Sequence, residues 1–215
     1  MVDLMLPFGE GIGAHAFAPG AVLLPGFAAP LARALPGTLA AIEQEAPFRH
    51  METPGGFRMS VAMTSCGTAG WTSDRSGYRY RREDPVSGRP WPAMPEAWRA
   101  LAHESAAAAG YAGFDADACL VNRYEVGARM SLHQDRDERD LSQPVVSASF
   151  GLPATFLFGG PKRGDPTVRI PLRDGDVVVW GGESRLFFHG IAPLRAGGAT
   201  AFGPRRINLT FRRAF

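Results

Sequence analysis

Apolar positions along this chain follow two rhythms, and the change between them falls near residue 118. Before it, LARALPGTLAAIEQEA (31–46) carries a helical pattern that Pro36 and Gly37 interrupt. PEAWRALAHESAAAAG (95–110) is a second helix, with proline at its start, alanines within and glycine at its end. AVLLPGF (21–27) reads as a short strand, and FRMSVAMT (57–64) alternates as a strand does. From Ser65 to Pro95 no period holds, and the stretch reads as a long irregular region. After Ala118 come ACLVNRYEV, PVVSASFGL, ATFLFGG, TVRIPL, GDVVVWGG, RLFFHGI and RRINLTFRR, short apolar runs punctuated by Gly, Pro and Asp. Closely spaced short strands predict a sandwich or barrel, and a jelly roll of about eight strands suits the length. The expected class is α+β, a helix-bearing N-terminal half against a C-terminal β-core.

Size narrows this to one substantial domain, since 215 residues suffice for a single core with an extension. No apolar run approaches membrane-spanning length. The segment MVDLMLPFGEGIGAHAF has no basic residue and its apolar stretch is broken by glycines, so it does not read as a signal peptide. Cys66 and Cys119 lack CxxC spacing and read as buried free thiols. A cytoplasmic protein is expected. The net charge of +2 says little about partners. Of 23 basic residues only Lys162 is lysine, in a chain rich in Ala, Gly and Pro, which a GC-rich genome explains as readily as selection for arginine.

Chemistry enters with SLHQDRDERD (131–140). His133 and Asp135 are two positions apart, so on or just off a strand they aim at one point. With the distant His189 they make a 2-His-1-carboxylate set, which occupies one face of a metal and leaves positions open, as Fe(II) oxygenases require. Alone, the spacing is equally compatible with a surface histidine and a satisfied core histidine. RRINLTFRR adds the third element. Arg206, Asn208, Thr210 and Arg212 share one strand face, while Ile207, Leu209 and Phe211 share the other. Two arginines and an amide facing inward are costly without an anion, and a dicarboxylate fits an arginine fork. A solvated edge strand is the competing reading. Asn122 and Tyr124 likewise share a face, where a polar ligand or half-exposure would each account for them.

These residues fall into patterns, NRYxxGxxxxxHxDxD, SxSxGLPAxFxFGG, GDVVVWGGESRLFFHGI and RxNLTFR, that resemble the AlkB family of Fe(II)- and 2-oxoglutarate-dependent dioxygenases. MxTPGGFRMSVAMT, GWTSDRSGYRY and PWPAMP in the N-terminal half are similar to the nucleotide-recognition lid of its bacterial repair members. The departures are Arg136 where lysine is expected, Ile207 where tyrosine is expected, and a shorter tail. The resemblance implies a double-stranded β-helix (jelly-roll, cupin-like) core in a single catalytic domain. Residues 1–45 would be an N-terminal extension, 46–95 the lid, and 96–215 a helix plus the dioxygenase core. It implies His133, Asp135 and His189 as iron ligands, and Asn122, Tyr124, Arg206, Asn208 and Arg212 as the 2-oxoglutarate site, Arg206 pairing the distal carboxylate. Trp71 would stack on the damaged base, and Tyr78 and Tyr80 would contact the nucleotide and its phosphates. Asp137 and Arg163 would face the substrate, with Thr53 and Met63 in the lid.

The implied activity is oxidative demethylation of 1-methyladenine and 3-methylcytosine in nucleic acid, consuming 2-oxoglutarate and O2 and releasing formaldehyde, succinate and CO2. The implied partner is alkylated single- or double-stranded DNA, with RNA as the open alternative, and a monomer is the default expectation. The lid's own residues agree in kind: arginines between Trp71 and Trp91 suit phosphates, and aromatics suit unpaired bases. Two rivals stand. One is a 2-oxoglutarate oxygenase for RNA or a non-nucleic-acid substrate. The other is a cupin-like metal-binding module without turnover, which Arg206 and Arg212 speak against.

Overall fold

The protein is described by a computed structural model covering residues 13–215; residues 1–12, the greater part of the segment expected not to be a signal peptide, lie outside it. In chain order the strands are β1 (His15–Ala18), β2 (Ala21–Leu24), β3 (Ala62–Gly67), β4 (Gly70–Asp74), β5 (Gly77–Arg81), β6 (Ala118–Glu125), β7 (Met130–His133), β8 (Val145–Gly151), β9 (Ala154–Phe158), β10 (Val168–Leu172), β11 (Val177–Trp180), β12 (His189–Ile191) and β13 (Arg205–Arg212). The helices are α1 (Ala29–Ala32), α2 (Leu35–Glu45) and α3 (Glu96–Ala108).

Strand alternation sorts the interior into two layers. A seven-stranded sheet, in the order β1-β2-β11-β8-β13-β6-β3, forms the middle of the molecule. Its odd positions on β11 and β13, Val177, Val179, Ile207, Leu209 and Phe211, pack with α2 and α3 through Leu39, Ile42, Trp98 and Leu101. Its opposite face, through Val178, Trp180, Leu120 and Tyr124, meets Phe156, Phe158 and Ile191 of a four-stranded sheet ordered β10-β9-β12-β7. Two antiparallel sheets face to face with helices on one outer side make the jelly-roll core with its helical cover. Among the described residues, no helix is long and apolar enough to cross a membrane.

Several elements differ from the sequence pattern. The helix of 31–46 is two helices, broken before Pro36, which sits in the first turn of α2 where a missing N–H is harmless. The strand expected over 57–64 begins at Ala62, because Phe57–Ser60 turns back on residues 51–53 through Met59 N–H to Met51 O and Thr53 N–H to Phe57 O. The stretch expected to be irregular contains the β4–β5 hairpin. Its turn closes where the Asp74 carboxylate accepts the Ser76 N–H at 2.8 Å and Gly77 takes φ of 126°. Only His189–Ile191 of RLFFHGI is strand. Cys66 and Cys119 are buried free thiols, opposite one another across β3 and β6.

Candidate functional site: a His–Asp–His cluster above an unpaired arginine

The polar face of β13 is central in the large sheet, with β6 on one side and β8 on the other. That removes the edge-strand reading. Register places Arg206 beside Tyr124, and Asn208 between Asn122 and Ser149. Asn208 and Thr210 are satisfied there: Asn208 Nδ2 donates to Ser147 Oγ at 2.8 Å and Ala148 O at 2.9 Å, and Thr210 Oγ1 donates to Asn208 Oδ1 at 2.9 Å. Arg206 is different. It is 1% exposed, its Nη2 donates to Ser149 Oγ at 2.9 Å, and its guanidinium lies 4.9 Å from the centre of the Tyr124 ring. Its Nε and Nη1, and Asn122 Oδ1 nearby, have no partner among the described residues. Burial lowers the guanidinium pKa, opposed by Tyr124.

Above this floor, β7 and β12 pair so that His133 and His189 stand opposite. The chain leaves β7 and brings Asp135 back to them. His133 Nε2 is 3.7 Å from Asp135 Oδ1, and His189 Nε2 is 3.7 Å from Asp135 Oδ2. Both Nδ1 atoms lie against carbonyls, Ser131 O at 2.9 Å and Phe187 O at 3.0 Å. With Nδ1 protonated there, both Nε2 lone pairs are free toward the centre. One ligand atom from each residue lies within 4.8 Å of the others, a group able to hold a metal ion. Burial alone would raise the Asp135 carboxyl pKa. Arg212, donating from Nε at 2.9 Å and Nη2 at 2.7 Å, leads His189 and His133 in holding it below the ordinary carboxylate range. Burial, with His133 beside it, takes His189 down to about 3. An ionised Asp135 and a neutral His189 are the protonation states a divalent cation needs of those two groups.

A cavity of about 700 Å³ joins the floor to the cluster and opens beneath the β4–β5 hairpin. Of the residues expected at the substrate side, Trp71, Tyr78, Asp137, Arg163, Thr53 and Met63 all line it. Trp71 and Tyr78 stack at 5.5 Å between ring centres, 15° apart, and Trp71 Nε1 donates to Asp137 Oδ2 at 2.7 Å. Tyr80 does not line it. Its hydroxyl donates to Glu138 Oε1 at 2.7 Å, and its ring packs edge-on against Phe215. Glu138 in turn holds Arg185 at 3.0 Å and Arg212 at 3.4 Å, so Tyr80 ties the hairpin to the arginine behind Asp135.

The lid arginines are also elsewhere. Arg75 pairs with Glu52, Arg79 with Asp74, and Arg82 lies over Phe215. The cations at the cavity mouth are Arg58, Arg129, Arg136 and Arg163. Sequence reasoning did not single out the first three for a site, although Arg129 and Arg136 flank the His133–Asp135 pair. The exposed Phe57 at the rim was missed as well.

The model of the 2OG-Fe(II) oxygenase superfamily matches residues 20–212 of the chain. Over 197 residues the chain is 56% identical to the alpha-ketoglutarate-dependent dioxygenase AlkB of Salmonella typhimurium and to that of Escherichia coli, covering 92% of this chain and 91% of each relative. The chain belongs to the AlkB family. Its fold also superimposes on the structure of OsALKBH1 with a TM-score of 0.81 at 28% identity, covering 94% of this chain and 100% of that one. As an AlkB-family dioxygenase it uses Fe(II), 2-oxoglutarate and O2. The donor set fits both groups: two imidazoles and a carboxylate for Fe(II), and for a dicarboxylate an orphaned, buried guanidinium on the same cavity wall.

Proposed function

We propose that this dioxygenase removes methyl groups from alkylated bases of nucleic acid, DNA above all, with 1-methyladenine and 3-methylcytosine as substrates. The observation that carries this reading is the continuity of the cavity. His133, Asp135 and His189 at one end and Trp71, Asp137 and the arginine rim at the other line one space. In our assignment His133, Asp135 and His189 hold Fe(II), and Asn122, Tyr124, Arg206, Asn208 and Arg212 hold 2-oxoglutarate, Arg206 taking its distal carboxylate. With these bound, the oxidising power comes from O2: 2-oxoglutarate leaves as succinate and CO2, and the N-methyl group becomes N-hydroxymethyl, which is lost as formaldehyde.

The chain's own residues supply position. Trp71 offers a stacking face for a flipped base, worth about 1–3 kcal/mol by analogy with other base–aromatic stacks. Arg58, Arg129, Arg136 and Arg163 meet phosphates at the mouth. Alkylation at a Watson–Crick nitrogen weakens pairing, which lowers the cost of extrusion. It also makes these bases cationic, so Asp137 favours lesion over normal base. We assign residues 46–95 as the recognition lid and 96–215 as helix and core, with 1–45 as an extension that lends β1 and β2 to the large sheet. A cytoplasmic monomer is the working form.

The test is loss of the methyl group from a single-stranded oligonucleotide carrying one 1-methyladenine, followed by mass spectrometry with Fe(II), 2-oxoglutarate and ascorbate. Loss that requires 2-oxoglutarate and vanishes in His133→Ala is expected. Succinate formation without methyl loss would keep the oxygenase and move the substrate elsewhere.

A further inference from the structure

We propose that the Trp71 indole N–H sets lesion selectivity by fixing the orientation of the Asp137 carboxylate, so that the stacking platform and the charge selector act as one unit. This rests on the reading of the cavity as a base pocket.

Asp137 is half-buried, and its one hydrogen bond is the 2.7 Å contact from Trp71 Nε1 to Oδ2. Its other oxygen, Oδ1, has no protein partner among the described residues. Among the described residues two carboxylates line the cavity, and the other, Asp135, is engaged by Arg212. Asp137 is therefore the free negative charge in a mouth otherwise lined by four arginines, none of which pairs with it. A carboxylate left open beside arginines is suited to a ligand that brings donors or positive charge of its own.

The indole is itself held. Its ring stacks on Tyr78. One residue across the hairpin, its register partner Tyr80 donates to Glu138, the neighbour of Asp137. Two adjacent tethers, Trp71 to Asp137 and Tyr80 to Glu138, thus fasten β4–β5 to the segment that follows Asp135. An indole N–H lies in the ring plane, so its acceptor sits at the ring's edge. A base stacked on that ring presents its own edge beside the free Oδ1. There an exocyclic amino group donates, as in 1-methyladenine or 3-methylcytosine. A carbonyl, as in 1-methylguanine, sets lone pair against lone pair. Discrimination requires that the carboxylate keep this orientation, and the indole N–H prevents its rotation.

Trp71→Phe keeps an aromatic face and removes the N–H. The experiment is fluorescence anisotropy with single-stranded oligonucleotides carrying 1-methyladenine, 1-methylguanine or adenine, on the enzyme loaded with Fe(II) and 2-oxoglutarate under argon so that no turnover occurs. Aerobic kcat/KM on the two lesions accompanies it. Trp71→Phe should lower the preference for 1-methyladenine over 1-methylguanine about tenfold, the scale of one hydrogen bond to a charged group. Affinity for 1-methylguanine should fall by less than affinity for 1-methyladenine does, because an aromatic ring still supports the base. Asp137→Asn should lower the same ratio, and adding Trp71→Phe to it should lower it no further. Equal losses on both lesions, or additive losses in the double variant, would overturn the proposal and leave Trp71 a platform only. A Trp71→Phe chain that does not fold is replaced by Trp71→Tyr, whose phenol lacks a donor at the indole position and carries the same expectation. If the wild type neither prefers nor demethylates either lesion, the base-pocket reading itself fails. Wild-type selectivity that survives in Trp71→Phe removes this inference alone.

Discussion

Replacing Arg206 by methionine separates a ligand-binding charge from a structural one. In the protein alone this guanidinium is buried with two of its nitrogens, Nε and Nη1, unpartnered among the described residues, each costing about 1–3 kcal/mol. Against that stand its bond to Ser149, worth about 1.5–3 kcal/mol as a charged hydrogen bond, and its contact with the Tyr124 ring, worth about 2 kcal/mol when desolvated. These nearly cancel, and methionine fills much of the same volume. The ligand-free chain should therefore change in stability by less than about 2 kcal/mol.

Binding should respond very differently. A dicarboxylate left facing a thioether loses its buried partner, at about 3–5 kcal/mol, or roughly 10²- to 5 × 10³-fold in affinity. Urea unfolding without ligand gives the first number. Anaerobic titration of 2-oxoglutarate into the Fe(II)-loaded protein, followed by visible absorbance, gives the second. Wild-type affinity for 2-oxoglutarate in Arg206→Met, together with a chain several kcal/mol less stable, would refute the reasoning and make Arg206 a structural residue.

Three further outcomes follow from the lid and its anchors. Burial would raise the Asp84 carboxyl pKa, but the Arg49 guanidinium at 2.5 Å and the Val86 N–H hold it below the ordinary value. Its folded-state pKa is thus depressed, so its contribution is complete above the unfolded value of about 3.9 and is lost as pH falls through the folded one. Asp84→Asn should therefore be less stable than wild type at pH 6, and the gap should narrow toward pH 3, as read from urea unfolding at both. A methyl group on Gly70 collides with the Trp91 indole, which donates to Arg81 O at 3.0 Å. Gly70→Ala should cost about 1–3 kcal/mol and speed proteolysis within 70–91 before the core is cut. Glu138→Gln leaves Arg185 and Arg212 short of a buried charge, at about 3 kcal/mol. It should lower the midpoint of thermal unfolding and weaken Fe(II) retention in a chelator competition, since Arg212 also holds Asp135.

How much of the site could be read from the chain depends on which geometry each residue needs. The faces of β13 and β6 were legible because period-two alternation is local, and RRINLTFRR states it in nine residues. That β13 lies between β6 and β8, which turns Arg206 from a wet edge residue into a buried demand for an anion while Arg212 meets Asp135 and Glu138, is a matter of strand order that no single segment contains. Arg58, Arg129 and Arg136 were opaque for the same reason: they meet at one mouth because β7 and the 51–60 loop converge there in space. The hairpin is the instructive case. Its run of aromatics and arginines suggested a surface that both stacks on bases and holds phosphates, but two-fold alternation forbids both jobs on one face. The Gly77 turn sets the register Trp71 with Tyr80 and Ser73 with Tyr78. Once that is fixed, the aromatics face the cavity and Glu138 together, while Arg79 and Arg81 fall on the opposite parity, and Arg79 pairs with Asp74. Tyr80 shares the face and the rung of Trp71 and lies one cross-strand step nearer the hairpin's open end than Tyr78, against Glu138 rather than over the opening. Charge and aromaticity in a strand therefore carry functional meaning only after parity and register are known, and here one glycine-closed turn supplies both.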